Sequence, residues 1–340
     1  MKSWPLALLG LTDLVEGVNA IAHFAYRHRL RRSHRAEVPV ISVGNIAFGG
    51  TGKTPLVAAL ARTLLAAGAR PAILTRGYRR REKAPVTVRG GEDVGWERVG
   101  DEPALLAGML PEVPIVVDAD RVRGAATAVR ETRATHLILD DGFQHWRLHR
   151  DLDIVVAEAG DPLCSRRPRR EHPDVLSRAD AIVLTRAADM TEVRAAIAVL
   201  GAYAPDALIL ATEVETRAVI QGGRRQPPRA LENVSVVAMA GIASPAGFVD
   251  TLGDIGARVV DMKFFPDHHR YTRSEVEAVI AEADAAGAIV ATTGKDAVKL
   301  PPDLLARVAW VDVEAVPVMG SYEELLEPVL KQFSPIPPTS

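Results

Sequence analysis

The chain is poor in several features that would have narrowed its role at once. It has one cysteine, Cys164, in 340 residues, which excludes an internal disulfide framework and fits a reducing, cytoplasmic compartment. Aromatic residues make up 5%, too few for a surface that stacks single-stranded bases. Neither sign of charge dominates: the formal net charge is −2, so bulk electrostatics point away from nucleic acid as a partner. There are no internal repeats, and nothing in the chain implies an obligate protein partner. An uninterrupted apolar run of about 20 residues, the length needed to cross a bilayer, is also missing. The nearest approach, residues 4–26, is broken by Asp13 and Glu16. Its positive charges follow the apolar stretch and no cleavage site is evident, which argues against a secretory signal.

What remains is ordinary globular composition, 48% hydrophobic and 25% charged, with enough chain for two domains. In the N-terminal segment, Trp4, Leu8, Leu11, Val15, Val18 and Ala22 recur at steps of three and four. That spacing predicts an amphipathic helix with one apolar stripe, and Asp13, Glu16 and His23 on the other side. Arg27, Arg29, Arg31, Arg32 and Arg35 follow. An apolar helical face beside a basic cluster suits peripheral association with an anionic membrane surface. Packing against the protein's own core is the alternative.

From residue 38 onward, short apolar runs alternate with helix-length segments. The runs 38–43, 70–75, 113–118, 135–140, 152–157 and 180–185 predict buried strands, and 53–67, 101–109 and 120–132 predict helices. This alternation predicts an α/β fold of the P-loop type, a parallel sheet with helices on both faces. A polar, turn-rich stretch interrupts it at 221–233, and the runs 235–242, 257–262 and 288–293 restart it. The expected organisation is a membrane-associating segment 1–36, a P-loop domain 37–222, a linker 223–233 and a second, smaller α/β domain 234–333. The natural site lies in the cleft between the two domains. The segment SPIPPTS (334–340) reads as a frayed tail.

Two motifs carry chemistry. After the first expected strand come Ala47, Phe48, Gly49, Gly50, Thr51, Gly52, Lys53 and Thr54. Glycines let backbone N–H groups close around phosphate oxygens, and the next helix offers its positive N-terminus. Lys53 is placed for the β- and γ-phosphates of ATP and Thr54 for Mg²⁺. The second motif is Asp140-Asp141, which ends the strand 135–140. Carboxylates at the C-terminal end of a parallel strand sit beside such a loop and are able to hold Mg²⁺. A solvated turn is the plain alternative.

The blocks SVGNIAFGGTGKTP (42–55), TRGY (75–78), GDEP (100–103), DDGFQH (140–145), FPDHH (265–269) and KDAVKL (295–300) together resemble the lipid A 4′-kinase (tetraacyldisaccharide 4′-kinase) family. The resemblance implies two α/β/α domains, a membrane-contacting N-terminal helix, and transfer of the ATP γ-phosphoryl group to the 4′-hydroxyl of an acylated glucosamine disaccharide 1-phosphate. It further implies that Asp101 is the general base and His268 the imidazole that orients it, with His269 as the alternative. Without the resemblance, Asp101 reads as a helix N-cap. Arg76, Glu102, Gln144, Arg170 and Glu171 fall in or beside matching blocks and are candidates for contacting the substrate. The match departs in two places. Residues 159–173 replace the family's glycine-rich segment with a loop bearing Arg166, Arg167, Arg169 and Arg170, and Gly294 stands where the family has Glu. Two other functions stay open at this point. One is a nucleotide-hydrolysing switch or chaperone, against which Thr293-Gly294-Lys295-Asp296 has the wrong spacing for base recognition. The other is a non-catalytic membrane-associated relative.

Overall fold

The structure, a computed structural model, describes residues 6–28, 30–78, 80–90, 92 and 94–332, with side chains from Leu14 onward. Among the described residues thirteen strands form one sheet. They are β1 (Val40–Gly44), β2 (Pro71–Thr75), β3 (Val86–Val88), β4 (Ile115–Val117), β5 (His136–Asp140), β6 (Leu152–Glu158), β7 (Ala181–Thr185), β8 (Leu208–Gln221), β9 (Arg224–Gln226), β10 (Ser235–Ala240), β11 (Arg258–Phe264), β12 (Ile289–Thr293) and β13 (Val308–Met319). The order is β11-β10-β12-β13-β8-β7-β6-β1-β5-β2-β4-β3, with β9 pairing to β8. Neighbours are parallel except β8–β13, β8–β9 and β3–β4. The nine strands expected from apolar runs all form: eight are largely buried, as strands covered on both faces must be apolar, whereas β11 is an edge strand with Val260, Met262 and Phe264 exposed.

β1 lies between β5 and β6, with Val43 in register with Asp140. Alternate residues of β1 feed different cores. Ile41 and Val43 pack with the helix Lys53–Ala66, whereas Val40 packs with the helix Arg121–Thr132. Leu56, Leu60 and Leu64 of the first helix are fully buried. Each such side chain contributes roughly 1.5–3 kcal/mol through burial, so the helix end that carries Lys53 is firmly seated.

The two stretches of parallel sheet are joined by β8 and β13, whose ladder runs from Ala309↔Gln221 to Met319↔Ala211. Neither strand is among the apolar runs; the family resemblance implies a strand-containing hinge between the domains without placing its strands. The polar stretch 223–233 contributes β9 and a short helical turn, Pro228–Leu231. The last helix, Tyr322–Leu330, returns to pack in the same core as the helix Lys53–Ala66.

The N-terminal helix spans Leu6–Arg27. Of the expected apolar stripe, Trp4 and the side chains of Leu8 and Leu11 lie outside the described residues, as do Arg29 and the tail 334–340. In the described remainder Glu16 and His23 face away from the exposed apolar side as expected, but that side is centred on Leu14, Val18, Ile21 and Phe24, with Val15 and Ala22 half-buried. Glu16 pairs with Arg169, Asn19 donates to the carbonyl of Arg170, and His23 and Tyr26 stack on Trp146. Leu14, Val18, Ile21 and Phe24 are each more than half exposed. The helix docks by its polar and aromatic side because the surface beneath it offers an arginine, a carbonyl and an indole. Among the described residues no helix is long and apolar enough to cross a membrane.

Candidate active site

The carboxyl ends of the parallel strands converge on one cleft, where ligands bind in open α/β sheets. β1 opens into the loop Asn45–Gly52. Gly52 precedes the helix Lys53–Ala66 with φ 84°, a left-handed conformation that glycine adopts without penalty. The loop is braced from beneath: Asn45 Nδ2 donates to Thr51 Oγ1 at 3.1 Å, and Thr185 Oγ1 donates to the carbonyl of Thr51 at 3.0 Å. Gln144 Nε2 donates to the carbonyl of Asn45 and to Glu171 Oε1, each at 2.8 Å, and Arg178 closes on Glu171 at 2.9 Å. Glu171 is buried, so Gln144 and Glu171 act here as struts for the loop.

The basic segment 166–170 lies directly against this loop. Ala47 bridges to Arg169, the amide of Phe48 donates to the carbonyl of Pro168 at 2.9 Å, and Arg167 reaches the carbonyl of Gly50 at 3.2 Å. Arg166 donates through its amide to Asp161 Oδ2 at 3.0 Å.

At the end of β5 the two acids have different surroundings. Asp141 lies 3.1 Å from Lys53 Nζ and accepts from Arg170 Nη1 at 2.8 and 2.9 Å. Burial would raise its carboxyl, but Lys53 and Arg170 hold it far below the usual range. Asp140 accepts from Thr75 Oγ1 at 3.2 Å. Burial, with the carboxylates of Glu102 and Asp141 nearby, pushes its carboxyl well above the usual range. Buried Arg121, at the start of its helix, also faces this pair. Arg76 is exposed at the end of β2. Among the described residues no group of three or more acids, histidines or cysteines is arranged to hold a metal. Mg²⁺ characteristically takes one or two carboxylates together with substrate phosphates. The crowded negative charge at Asp140 fits a cation.

Facing these groups is the second acid site. Asp101 opens the helix Asp101–Met109, but Gly100 occupies the cap position and no side chain caps it. The capping role open to Asp101 in the sequence is therefore not the one it fills. Asp101 Oδ1 accepts from the amide of Glu102 at 3.0 Å, and Oδ2 lies 2.7 Å from His268 Nδ1. An ionised carboxylate only accepts, so Nδ1 bears the proton. Burial alone would raise the Asp101 carboxyl. The His268 hydrogen bond and the charge of Lys295 outweigh it and hold the group below its ordinary value. Lys295 Nζ lies 3.1 Å from Glu102 Oε1 and 3.5 Å from His268 Nε2. Its own proton is bound more tightly than usual, because the carboxylates of Glu102, Asp101 and Asp267 outweigh the effect of burial. His269 instead bonds to Glu275 at 3.2 Å, stacks on Phe265 and meets Tyr271 edge-on. Of the two histidines, His268 is the one beside Asp101.

These positions match a known family. The model for tetraacyldisaccharide-1-P 4′-kinase matches residues 4–332. The chain belongs to the tetraacyldisaccharide 4′-kinase family. It is 43% identical over 310 residues to the tetraacyldisaccharide 4′-kinase of Anaeromyxobacter sp. strain Fw109-5, covering 87% of this chain and 83% of that protein. It is 37% identical over 328 residues to that of Syntrophus aciditrophicus, covering 90% and 88%. The crystal structure of the "apo" form of LpxK from Aquifex aeolicus in complex with ATP superposes with a TM-score of 0.74. That chain is 30% identical, and the match covers 96% of this chain and 98% of that one.

Within the family frame, Gly294 has a local reason. A Cβ there would lie 3.0 Å from Leu105 Cδ1 and 3.4 Å from the Trp310 ring, so glycine allows the helix bearing Asp101 to sit close. Lys295 and Arg121 are site residues without a local signal in the sequence: the carboxylate of Glu102 that Lys295 meets is 193 positions away, and Arg121 faces Asp140 and Asp141 across a helix and a strand.

Proposed function

We propose that this member of the tetraacyldisaccharide 4′-kinase family transfers the γ-phosphoryl group of ATP to the 4′-hydroxyl of an acylated glucosamine disaccharide 1-phosphate. The observation that carries this reading is the 2.7 Å contact between Asp101 and His268, opposite a phosphate loop that ends in Lys53. We read residues 37–222 as the lobe that binds nucleotide and 234–333 as the lobe that brings His268 and Lys295 to Asp101.

In this mechanism the amides of the loop cradle the phosphates and Lys53 meets the β- and γ-phosphates, exchanging Asp141 for a phosphate oxygen. Thr54, Asp140 and Asp141 would hold Mg²⁺, which supplies charge neutralisation on the β- and γ-oxygens. Asp101 accepts the proton of the sugar hydroxyl as the new oxygen–phosphorus bond forms. His268 holds the carboxylate in place, with Lys295 Nζ 3.5 Å from its Nε2. A base that binds its proton weakly is adequate here, because phosphoryl transfer passes through a loose transition state in which the nucleophile is little deprotonated. Arg76, Glu102 and Arg170 line the approach to these groups. Arg170 serves the acceptor's 1-phosphate or a headgroup in this reading.

The exposed face formed by Leu14, Val18, Ile21 and Phe24, with Arg27, Arg31, Arg32 and Arg35 beyond it, supports peripheral attachment to an anionic membrane on its cytoplasmic side. The deciding experiment incubates the protein with ATP labelled in the γ-phosphate and a panel of acylated disaccharide 1-phosphates. The position of the new phosphate is then located by NMR. Label on the 4′-oxygen is the expected result; ATP turnover that is indifferent to acceptor would reject the assignment.

A further inference from the structure

His268 has φ 60°, a left-handed conformation that non-glycine residues hold only where the surroundings impose it. What imposes it is traceable. The amide of His268 donates to the carbonyl of Gly241 at 3.1 Å, just beyond the end of β10. The amide of Gly241 donates in turn to Asp296 Oδ2 at 2.9 Å. Asp296 is completely buried. The same oxygen accepts from Thr293 Oγ1 at 2.8 Å, and the amide of Asp296 donates back to Thr293 Oγ1 at 3.1 Å. Its other oxygen lies 2.7 Å from Lys299 Nζ, equally buried. An ion pair withdrawn this far from water is costly to build. Its outward connections are the peptide of Gly241 and the side chain of Tyr271, whose hydroxyl faces Asp296 and whose ring lies 5.1 Å from Lys299 Nζ; only the first leads to the backbone of His268.

We propose that Asp296 is a positioning residue for the transfer reaction: through the Gly241 peptide it sets the backbone of His268, and so the place where the imidazole meets Asp101. Lys299 neutralises Asp296 so that the carboxylate is buried ionised and accepts two hydrogen bonds. The KDAVK turn thereby serves the site twice. Lys295 faces the imidazole and Asp296 holds the chain that bears it. Displacements of about 1 Å at a reacting centre are worth about 10²-fold in rate, which is the scale to expect.

The inference rests on the assignment of His268 under the proposed function, and the test separates the two. In a Lys299→Met background, which removes the buried cation, Asp296→Asn keeps an acceptor for the Gly241 amide while Asp296→Leu does not. The Asn variant is expected within about 3-fold of wild-type kcat and the Leu variant about 10–100-fold lower, with KM for ATP unchanged in both. Repeated in His268→Ala, the difference between Asn and Leu should vanish, since a residue acting only through His268 has nothing left to position. Asp296→Glu in the otherwise native chain reads the same geometry should the Leu variant not fold. Its expected loss is at least about 5-fold, again erased by His268→Ala. Equal rates for Asn and Leu, or a loss that persists in full without His268, overturns the inference while leaving the proposed function intact. A His268→Ala rate equal to wild type would instead remove the assignment on which it rests.

Discussion

Substituting Asp101 by Asn tests the proposed chemistry most directly, because the geometry around it dictates more than loss of a base. The carboxylate receives a hydrogen bond from the Glu102 amide at 3.0 Å and one from His268 at 2.7 Å. In the Asn side chain only the oxygen accepts, and the Glu102 amide is able only to donate, so the oxygen must face it. The side-chain NH₂ then points at His268 Nδ1, which has to give up its proton and become an acceptor. The imidazole proton moves to Nε2, where Lys295 Nζ, also a donor, waits 3.5 Å away. The variant thus loses its proton acceptor and sets two donors against each other. General-base catalysis contributes about 10²–10⁴-fold, and the disordered tautomer places the expected fall in kcat toward the upper end. Loss of a charge-assisted hydrogen bond costs about 1.5–3 kcal/mol in stability, so the melting temperature should fall as well. ATP binding, made by the phosphate loop, should not change.

The assay is single-turnover transfer at saturating ATP and acceptor, alongside ATP affinity measured separately. A rate within a few-fold of wild type would refute the base assignment whatever happened to stability. The pH dependence supplies an independent check. The Asp101 carboxyl is held below its ordinary value of 3.8, so the base stays ionised through the neutral and mildly acidic range. The stability it confers is present above that ordinary value and is lost as pH falls through the lower folded-state value. Any acid limb of the rate near pH 5–7 must therefore come from another group, and should survive in Asp101→Asn.

Three further outcomes are expected. Lys53→Ala should lower transfer by at least about 10²–10³-fold, the scale of losing one preorganised charge on a transition-state oxygen; its melting temperature should hold, since Asp141 keeps Arg170, and near-native turnover would remove the loop from the mechanism. Val18→Asp with Ile21→Asp should abolish flotation with anionic vesicles without lowering stability, because both side chains point to solvent; undiminished flotation would reject this face as the membrane contact. Burial and the charges of Arg121, Arg150 and Arg147 hold the His145 imidazole down to about 4, from an ordinary 6.5. Between those values the unfolded chain binds a proton that the folded chain does not. Stability should therefore fall, by on the order of 3 kcal/mol, as pH drops from 6.5 to about 4, and urea unfolding of His145→Gln should show a shallower decline over the same range.

What was legible in the sequence depended on how local its cause is. The loop 47–54 and Asp140-Asp141 were legible because strand, turn and helix follow one another directly, and parallel pairing brings Val43 level with Asp140. β8 and β13 escaped because they are partly exposed and alternate, as in Thr212-Glu213-Val214-Glu215. A search for unbroken apolar runs passes over such strands, though their period of two was there to be counted. The N-terminal helix shows a different limit. Its periodicity revealed an apolar side, yet which side faces inward depends on the surface it lands on, and that surface is built by Trp146, Arg169 and Arg170 far along the chain.

The pairing of Asp101 with His268 lies beyond any local rule, since 167 positions separate them and neither stands in a motif that specifies the other. Only resemblance to a family brought them together on sequence grounds. Resemblance also has a blind spot, because it transfers roles to side chains that touch substrate and passes over those that act through the main chain. The backbone hydrogen bonds that link Asp296 to Gly241 and Gly241 to His268 leave no trace in residue type at position 268, and the glycine at 241, where a Cβ would meet Tyr271 and Asp296, does not name its partners in the sequence. A buried acid three residues before a buried lysine reads in sequence as an ordinary solvated helix pair. Burial inverts that reading. An exposed pair of this kind is worth a few tenths of a kcal/mol and tolerates loss, whereas removing one partner of a buried pair leaves a charge without compensation and typically costs 3–5 kcal/mol. Lys299→Met alone should therefore destabilise the protein far more than Lys299→Met with Asp296→Asn. A measured order the other way round would mean that Asp296 does not take up its carboxylate form inside the fold, and the positioning argument would fail with it.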